Sequence, residues 1–197
     1  MRKNKHIVEY PTIEQLETEL NRVQYKKRYH TVLKSTVYTL ITVAAVAILV
    51  ATLWLPVLQI YGSSMTPTMD NGDIVFTLKT SQFHQGDILA FYYNNKILVK
   101  RVIACPGEWV DIESDGTVYI NNEQIYEPYV TDLSYGDTNI ELPFQVPDGK
   151  LFVMGDHRST SVDSRNTAVG CVAQEQVVGK IIFRIWPIAE IGPIDKN

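Results

Sequence analysis

The order of apolar and polar positions divides the chain into three stretches. Ile13, Leu16, Leu20 and Val23 recur at helical spacing, with Glu14, Glu17, Glu19 and Arg22 between them. Thr12 can cap this segment and Gln15 follows three residues on, the pattern of a capping box. A short amphipathic helix is predicted there. From Ser35 to Met69 there is then no Asp, Glu, Lys or Arg. Its centre, residues 36–58, is about 23 residues long, enough to cross ~30 Å of hydrocarbon as a helix. Pro56 falls near the far end, where a kink or a stop costs little.

Beyond Asp70 the period shortens to that of strands. Residues 73–78, 86–93 and 97–104 read as strands, the last two forming a hairpin about Asn94-Asn95, residues that tolerate positive φ. Residues 109–112 and 117–120 suggest a second hairpin around Ser114-Asp115-Gly116, and 151–154 and 177–186 are late strands. Residues 121–147 are polar and turn-rich, an excursion from the core. The expected fold is an all-β domain preceded by one transmembrane helix. Its parts are an N-terminal segment 1–34, an anchor 35–60 and a β-rich domain 61–197 with a small cap near 121–147.

Charge orients this arrangement. Residues 1–34 carry a balance of +4 and residues 35–197 a balance of -8. Lys26, Lys27, Arg28 and Lys34 precede the apolar run, so the N-terminus should stay in the cytoplasm and the β-rich domain should lie outside the plasma membrane. Trp54 and Tyr61 sit where interfacial aromatics would. A cleaved signal peptide is the competing reading, but the run is longer than an ordinary h-region and 34 residues precede it. The acidic domain argues against a nucleic-acid partner. Cys105 and Cys171 lack the spacing of a zinc site; they read as small apolar side chains or as an extracytoplasmic disulfide. No metal and no cofactor are expected.

Three polar clusters interrupt the pattern. Ser64 stands in Tyr61-Gly62-Ser63-Ser64-Met65-Thr66-Pro67-Thr68-Met69, some six residues past the apolar run. A serine hydroxyl needs a base before it is a useful nucleophile. Lys100 and Arg101 lie within the apolar strand 97–104, so at least one cation must face apolar neighbours. Burial disfavours an ammonium and can make a lysine a neutral base, which arginine cannot become. The third cluster, residues 154–165, contains Gly155-Asp156-His157-Arg158 and Ser161-Val162-Asp163-Ser164-Arg165. By composition it is also compatible with a solvated loop held by Asp–Arg pairs.

Taken in order, Ser64-Met65-Thr66-Pro67-Thr68, then Lys100-Arg101 with Pro106-Gly107 downstream, then the third cluster, closely resemble the bacterial type I signal peptidases over residues 31–190. The resemblance implies a membrane-bound serine endopeptidase of irregular β-barrel fold that removes signal peptides from exported preproteins. It implies Ser64 as nucleophile, Lys100 as general base and Ser161 as the residue orienting the lysine. Asp163 and Arg165, and less directly Asp156 and Arg158, would hold the site together, while Met65 and Pro67 would shape the nucleophile loop. Small residues at the first and third substrate positions before the cut are implied as well. Three positions depart from the pattern: Gly62, where some members carry a second oxyanion-hole serine, His157 in place of a common asparagine, and Cys105 in place of a common leucine. Three rival readings remain at this level. One is a serine–histidine pair of Ser64 and His157 supported by Asp156. The second is a sortase-like transpeptidase using Cys171 with His157, and the third an inactive membrane-anchored binding module.

Overall fold

A computed structural model describes residues 11–54 and 56–194. The first ten residues of the expected N-terminal segment and the Trp54 side chain lie outside the described residues. The chain divides into two compact units, residues 1–50 and 51–197.

The first unit is helical. α1 runs without interruption over Ile13–Trp54, 42 residues or about 60 Å. The expected short amphipathic helix and the apolar span are therefore one element. Nothing between them breaks a helix, since residues 24–35 contain neither Gly nor Pro. The capping box forms: Thr12 N–H donates to Gln15 Oε1 at 3.0 Å, and Gln15 N–H to Thr12 Oγ1 at 3.4 Å. Within the apolar stretch Thr36, Thr39 and Thr42 donate their hydroxyls to the carbonyls of Val32, Ser35 and Tyr38. Their polar groups are thus satisfied inside the helix, as hydrocarbon would demand. α1 is long and apolar enough to cross a membrane.

One boundary differs from expectation. The apolar run was predicted helical to Leu58, but α1 stops at Trp54 and β1 spans Val57–Gln59. Pro56 lies between them and cannot continue an i to i−4 ladder. Its carbonyl instead accepts the Thr77 N–H at 2.9 Å and the Thr77 hydroxyl at 3.0 Å. Apolarity alone does not separate the last turn of a membrane helix from a half-buried strand.

The second unit is a β structure. Its strands are β1, β2 (Ile74–Leu78), β3 (Ile88–Tyr93), β4 (Lys96–Ala104), β5 (Trp109–Ile112), β6 (Val118–Ile120), β7 (Glu123–Gln124), β8 (Phe144–Gln145), β9 (Lys150–Met154), β10 (Val172–Ala173), β11 (Val177–Trp186) and β12 (Gly192–Pro193). The larger sheet has the order β1-β2-β11-β3-β4-β9-β10, with β12 added to β11. The smaller has the order β7-β6-β5-β8. All pairings are antiparallel. Both predicted hairpins form, β3–β4 turning through Asn94 at φ 51° and β5–β6 through the segment holding Gly116.

Three apolar clusters fill this unit, and one of them carries the Ser64 loop. Met65 and Met69 are buried with Ile60, Val75, Ile88 and Ile181. The Met69 N–H donates to the Met65 carbonyl at 2.9 Å, closing one helical turn that points both methionines inward. Burying two such side chains supplies about 3–6 kcal/mol, enough to fix a short loop.

Candidate active site

β4 sits between β3 and β9, so both of its edges are hydrogen-bonded and it lies in the interior of the larger sheet. Sequence alternation required one buried cation in this strand; the structure buries two. Lys100 is 3 % exposed and Arg101 fully buried. The two have different solutions. Arg101 donates Nε and Nη2 to the Asp156 carboxylate at 2.9 and 2.7 Å, and Nη1 to the Gly86 carbonyl at 3.0 Å. A bidentate pair of this kind compensates the desolvation of both charges.

Among the described residues Lys100 has no carboxylate partner at contact distance. Its Nζ lies 2.6 Å from Ser64 Oγ, hydrogen-bonded across 36 positions of chain. Burial lowers its pKa from 10.5 to about 8. The Asp163 carboxylate opposes this shift, Arg165 reinforces it, and Asp156 opposes it again. A hydroxyl thus faces an amine that is largely neutral in mildly alkaline water, the requirement for proton transfer between them.

The third cluster is not a solvated loop. Asp156, Arg158, Ser161, Asp163, Ser164 and Arg165 are all buried. Asp163 accepts from Arg165 Nε at 2.8 Å and Nη2 at 2.9 Å, and from the Gly155 N–H at 3.0 Å. Arg158 Nε donates to the Gly155 carbonyl at 3.1 Å. The Ser64 carbonyl accepts the His157 N–H at 3.1 Å, and the Thr68 hydroxyl donates to Asp156. The loop carrying Ser64 is therefore tied at two points to the segment after β9. Met65 and Pro67 take part differently, the first buried and the second exposed after a cis Thr66–Pro67 bond.

Ser161 departs from what the resemblance implied. Its Oγ is buried but makes no hydrogen bond among the described residues, to Lys100 or to anything else. It packs against Gly155 instead: a β-carbon built there would lie 2.3 Å from Ser161 Oγ. The Gly62 N–H is engaged by Asn71 Oδ1 at 3.0 Å, so its backbone offers no free donor beside Ser64.

The rival assignments lack geometry. His157 Nδ1 contacts Thr66 Oγ1 at 3.1 Å, not the Ser64 hydroxyl. Cys171 packs against an apolar cluster, and burial pushes its thiol up to about 11, away from a reactive thiolate. Both cysteines are free.

Two residues outside the expected set reach the buried charges. Glu127 pairs with Arg158, and the Tyr129 ring lies 3.8 Å beneath the Arg101 guanidinium. Both come from the excursion at 121–147. Only the polar character of that excursion was visible in sequence, and it gave no signal of these partners.

Beside Ser64 and Lys100 opens a cleft of about 750 Å³. Leu58, Ile60, Met65, Ile97, Leu98 and Val99 supply its apolar wall, with Gln59, Asn95 and Lys96 adding polar positions. It suits an extended, uncharged stretch of polypeptide more than a charged small molecule.

Comparison with known proteins bears on what this arrangement is. A signal peptidase I of Bacillus licheniformis is 37 % identical, the match covering 68 % of this chain and 78 % of that one. Signal peptidase IB of Staphylococcus aureus is 36 % identical, covering 66 % and 78 %. A crystal structure of a signal peptidase I from Enterococcus faecalis V583 aligns with 34 % identity and a TM-score of 0.43, over 50 % of this chain and 96 % of that one. The profile of the family described as Signal peptidase, peptidase S26, matches residues 33–186, from the middle of α1 to the end of β11 and across all three polar clusters. With most of its length matched in this way, the chain belongs to the signal peptidase family, peptidase S26.

Proposed function

We propose that this protein cleaves the signal segments of membrane-held preproteins, with Ser64 as nucleophile and Lys100 as its general base. The observation that carries the assignment is the 2.6 Å hydrogen bond between Ser64 Oγ and a buried Lys100 Nζ. In the forward step the neutral amine takes the Ser64 hydroxyl proton while Oγ bonds to the scissile carbonyl carbon. Collapse of the tetrahedral intermediate breaks the C–N bond, and the Lys100 ammonium returns its proton to the leaving amine. Lys100 then takes a proton from water as the water oxygen bonds to the acyl carbon; collapse of this second intermediate breaks the C–Oγ ester bond, the Lys100 ammonium returns the proton to Ser64 Oγ, and a new carboxyl terminus is released.

The apolar wall of the cleft supports an extended, uncharged segment as substrate. The short chain between α1 and Ser64 supports a scissile bond close to the lipid surface. Asp156, Arg158, Asp163 and Arg165 serve as the buried frame that fixes the two reacting groups. The cluster of Lys26, Lys27, Arg28 and Lys34 supports an N-terminus in the cytoplasm and a catalytic unit outside.

The test is cleavage of one preprotein by the full chain in detergent. Wild type should cut it. Ser64→Ala, Lys100→Ala and Lys100→Arg should all be inactive while remaining folded, the last because an arginine never supplies a neutral base. Full activity in any of the three overturns the assignment.

A further inference from the structure

Three arginines, Arg101, Arg158 and Arg165, are fully buried around the site. Each is held from two sides. One side is the catalytic motif already described: Asp156 for Arg101, the Gly155 carbonyl for Arg158, Asp163 for Arg165. The other side is a single segment, residues 127–136. The Tyr129 ring stacks on Arg101 at 3.8 Å. Glu127 takes Arg158 in a bidentate pair, with Oε2 accepting from Nη1 at 3.0 Å and Oε1 from Nη2. The Ser134 and Tyr135 carbonyls each accept from Arg165 Nη1 at 3.1 Å. Tyr129 Oη donates to Glu127 Oε1 at 2.8 Å, which couples two of these holds. Gly136, at φ +61°, lies so close that a β-carbon would stand 2.6 Å from Arg165 Nη1 and 2.8 Å from the Arg158 carbonyl.

We infer that residues 127–136 form a strap over the buried arginines, and that Glu127 and Tyr129 are positioning residues for the Ser64–Lys100 pair. This rests on the dyad reading above. The route is short. Arg101 adjoins Lys100 on β4 and fixes Asp156, which holds Thr68 on the Ser64 loop. Arg158 fixes Gly155, whose neighbour Asp156 is followed by the His157 N–H that holds the Ser64 carbonyl. A guanidinium that loses its outer partner must recruit water or shift, and either disturbs these contacts. The side chain of Glu127 is only 5 % exposed, so its charge is spent on Arg158 and not on solvent.

The experiment compares Glu127→Gln, Tyr129→Leu and Tyr129→Phe with wild type, as full chains in detergent cleaving one preprotein, each well below its melting temperature. Tyr126→Ala, at a residue 88 % exposed beside Glu127, controls for disturbance of the loop. The strap predicts that Glu127→Gln and Tyr129→Leu lower kcat by about tenfold or more while KM stays within about twofold, a change made in geometry and not in uniform binding. Tyr129→Phe keeps the ring on Arg101 but loses the hydrogen bond to Glu127, so its kcat should fall between those of wild type and Tyr129→Leu, while Tyr126→Ala should retain most of kcat. The rise of kcat/KM with pH should also move to higher pH in the two damaged variants, because looser packing admits water to an amine facing Asp156, Asp163 and Arg165. Wild-type kcat in both Glu127→Gln and Tyr129→Leu overturns the strap. So does a loss that follows only the folded fraction, with KM and the pH midpoint unmoved. A wild type that cleaves while these variants match it removes the strap alone; a wild type unable to cleave removes the dyad reading and the strap together.

Discussion

Gly155 lies directly against Ser64: a β-carbon built on Gly155 would stand 2.5 Å from the Ser64 carbonyl oxygen, and 2.6 Å from Ser161 Cβ. No real β-carbon fits such a gap. Gly155→Ala must push either the Ser64 loop or the Ser161 backbone away. The displacement of the loop should cost about 10²-fold in activity, the scale of a 1 Å misplacement. Overpacking should lower stability by about 1–3 kcal/mol. Gly192→Ala, where a β-carbon meets nothing within 4 Å, should leave both quantities near wild type. Parallel cleavage assays and urea titrations of the two variants decide this.

Activity should climb with pH through the Lys100 titration. An amine with a pKa of about 8 is half neutral at that pH, whereas one at 10.5 would be only about 0.3 % neutral. A pH profile of kcat/KM on a substrate without titrating groups should therefore have its acid midpoint near 8.

The same shift destabilises the protein. The folded chain binds fewer protons than the unfolded chain between pH 8 and 10.5, so wild-type stability rises across that window. Below pH 8 the full cost remains, about 3 kcal/mol. Lys100→Met should be inactive yet more stable than wild type at pH 6, by up to that amount. The gap should shrink between pH 8 and 10.5. Melting curves at pH 6, 8 and 10 test the sign and the window.

Asp156→Ala removes both carboxylate oxygens from a fully buried Arg101. An uncompensated buried guanidinium costs about 3–5 kcal/mol. Chemical denaturation of this variant should show a loss in that range, well above the 0–1 kcal/mol expected for breaking an exposed pair such as Arg22–Glu19.

Thiol reagents should leave the enzyme working. Burial raises the pKa of both Cys105 and Cys171, the second to about 11, so neither carries much thiolate at pH 7.5. Treatment with iodoacetamide, with mass analysis of the adducts, should leave preprotein cleavage close to its starting rate.

The sequence was most informative where a pattern extended over several residues. β2, β3, β4, β5, β6, β9 and β11 were all visible as alternating or apolar runs bounded by Gly, Pro and Asn. The two-residue strands β7, β8, β10 and β12 are too short to carry a period. β1 was hidden because Val57 and Leu58 extend the apolarity of the helix before them. At the site, motif order pointed to Ser64 and Lys100, whose side chains are in contact. The burial of Arg101, Arg158 and Arg165 was not legible, because their partners Tyr129, Glu127 and the carbonyls of Ser134 and Tyr135 lie on a segment without periodicity. Partner choice there is tertiary. Ser161 shows the opposite limit: a position inside a recognisable motif did not reveal that its hydroxyl packs on Gly155.

The short joint at Pro56 determines where the anchor can be removed. β1 is hydrogen-bonded to β2, and Thr77 holds the Pro56 carbonyl, so these residues belong to the catalytic unit although they look like the tail of the membrane segment. A soluble form that starts at Pro56 retains the rim of its larger sheet. One trimmed four residues further, to Ile60, would leave Ile74 to Phe76 as a bare, apolar border, open to pairing with its own copies.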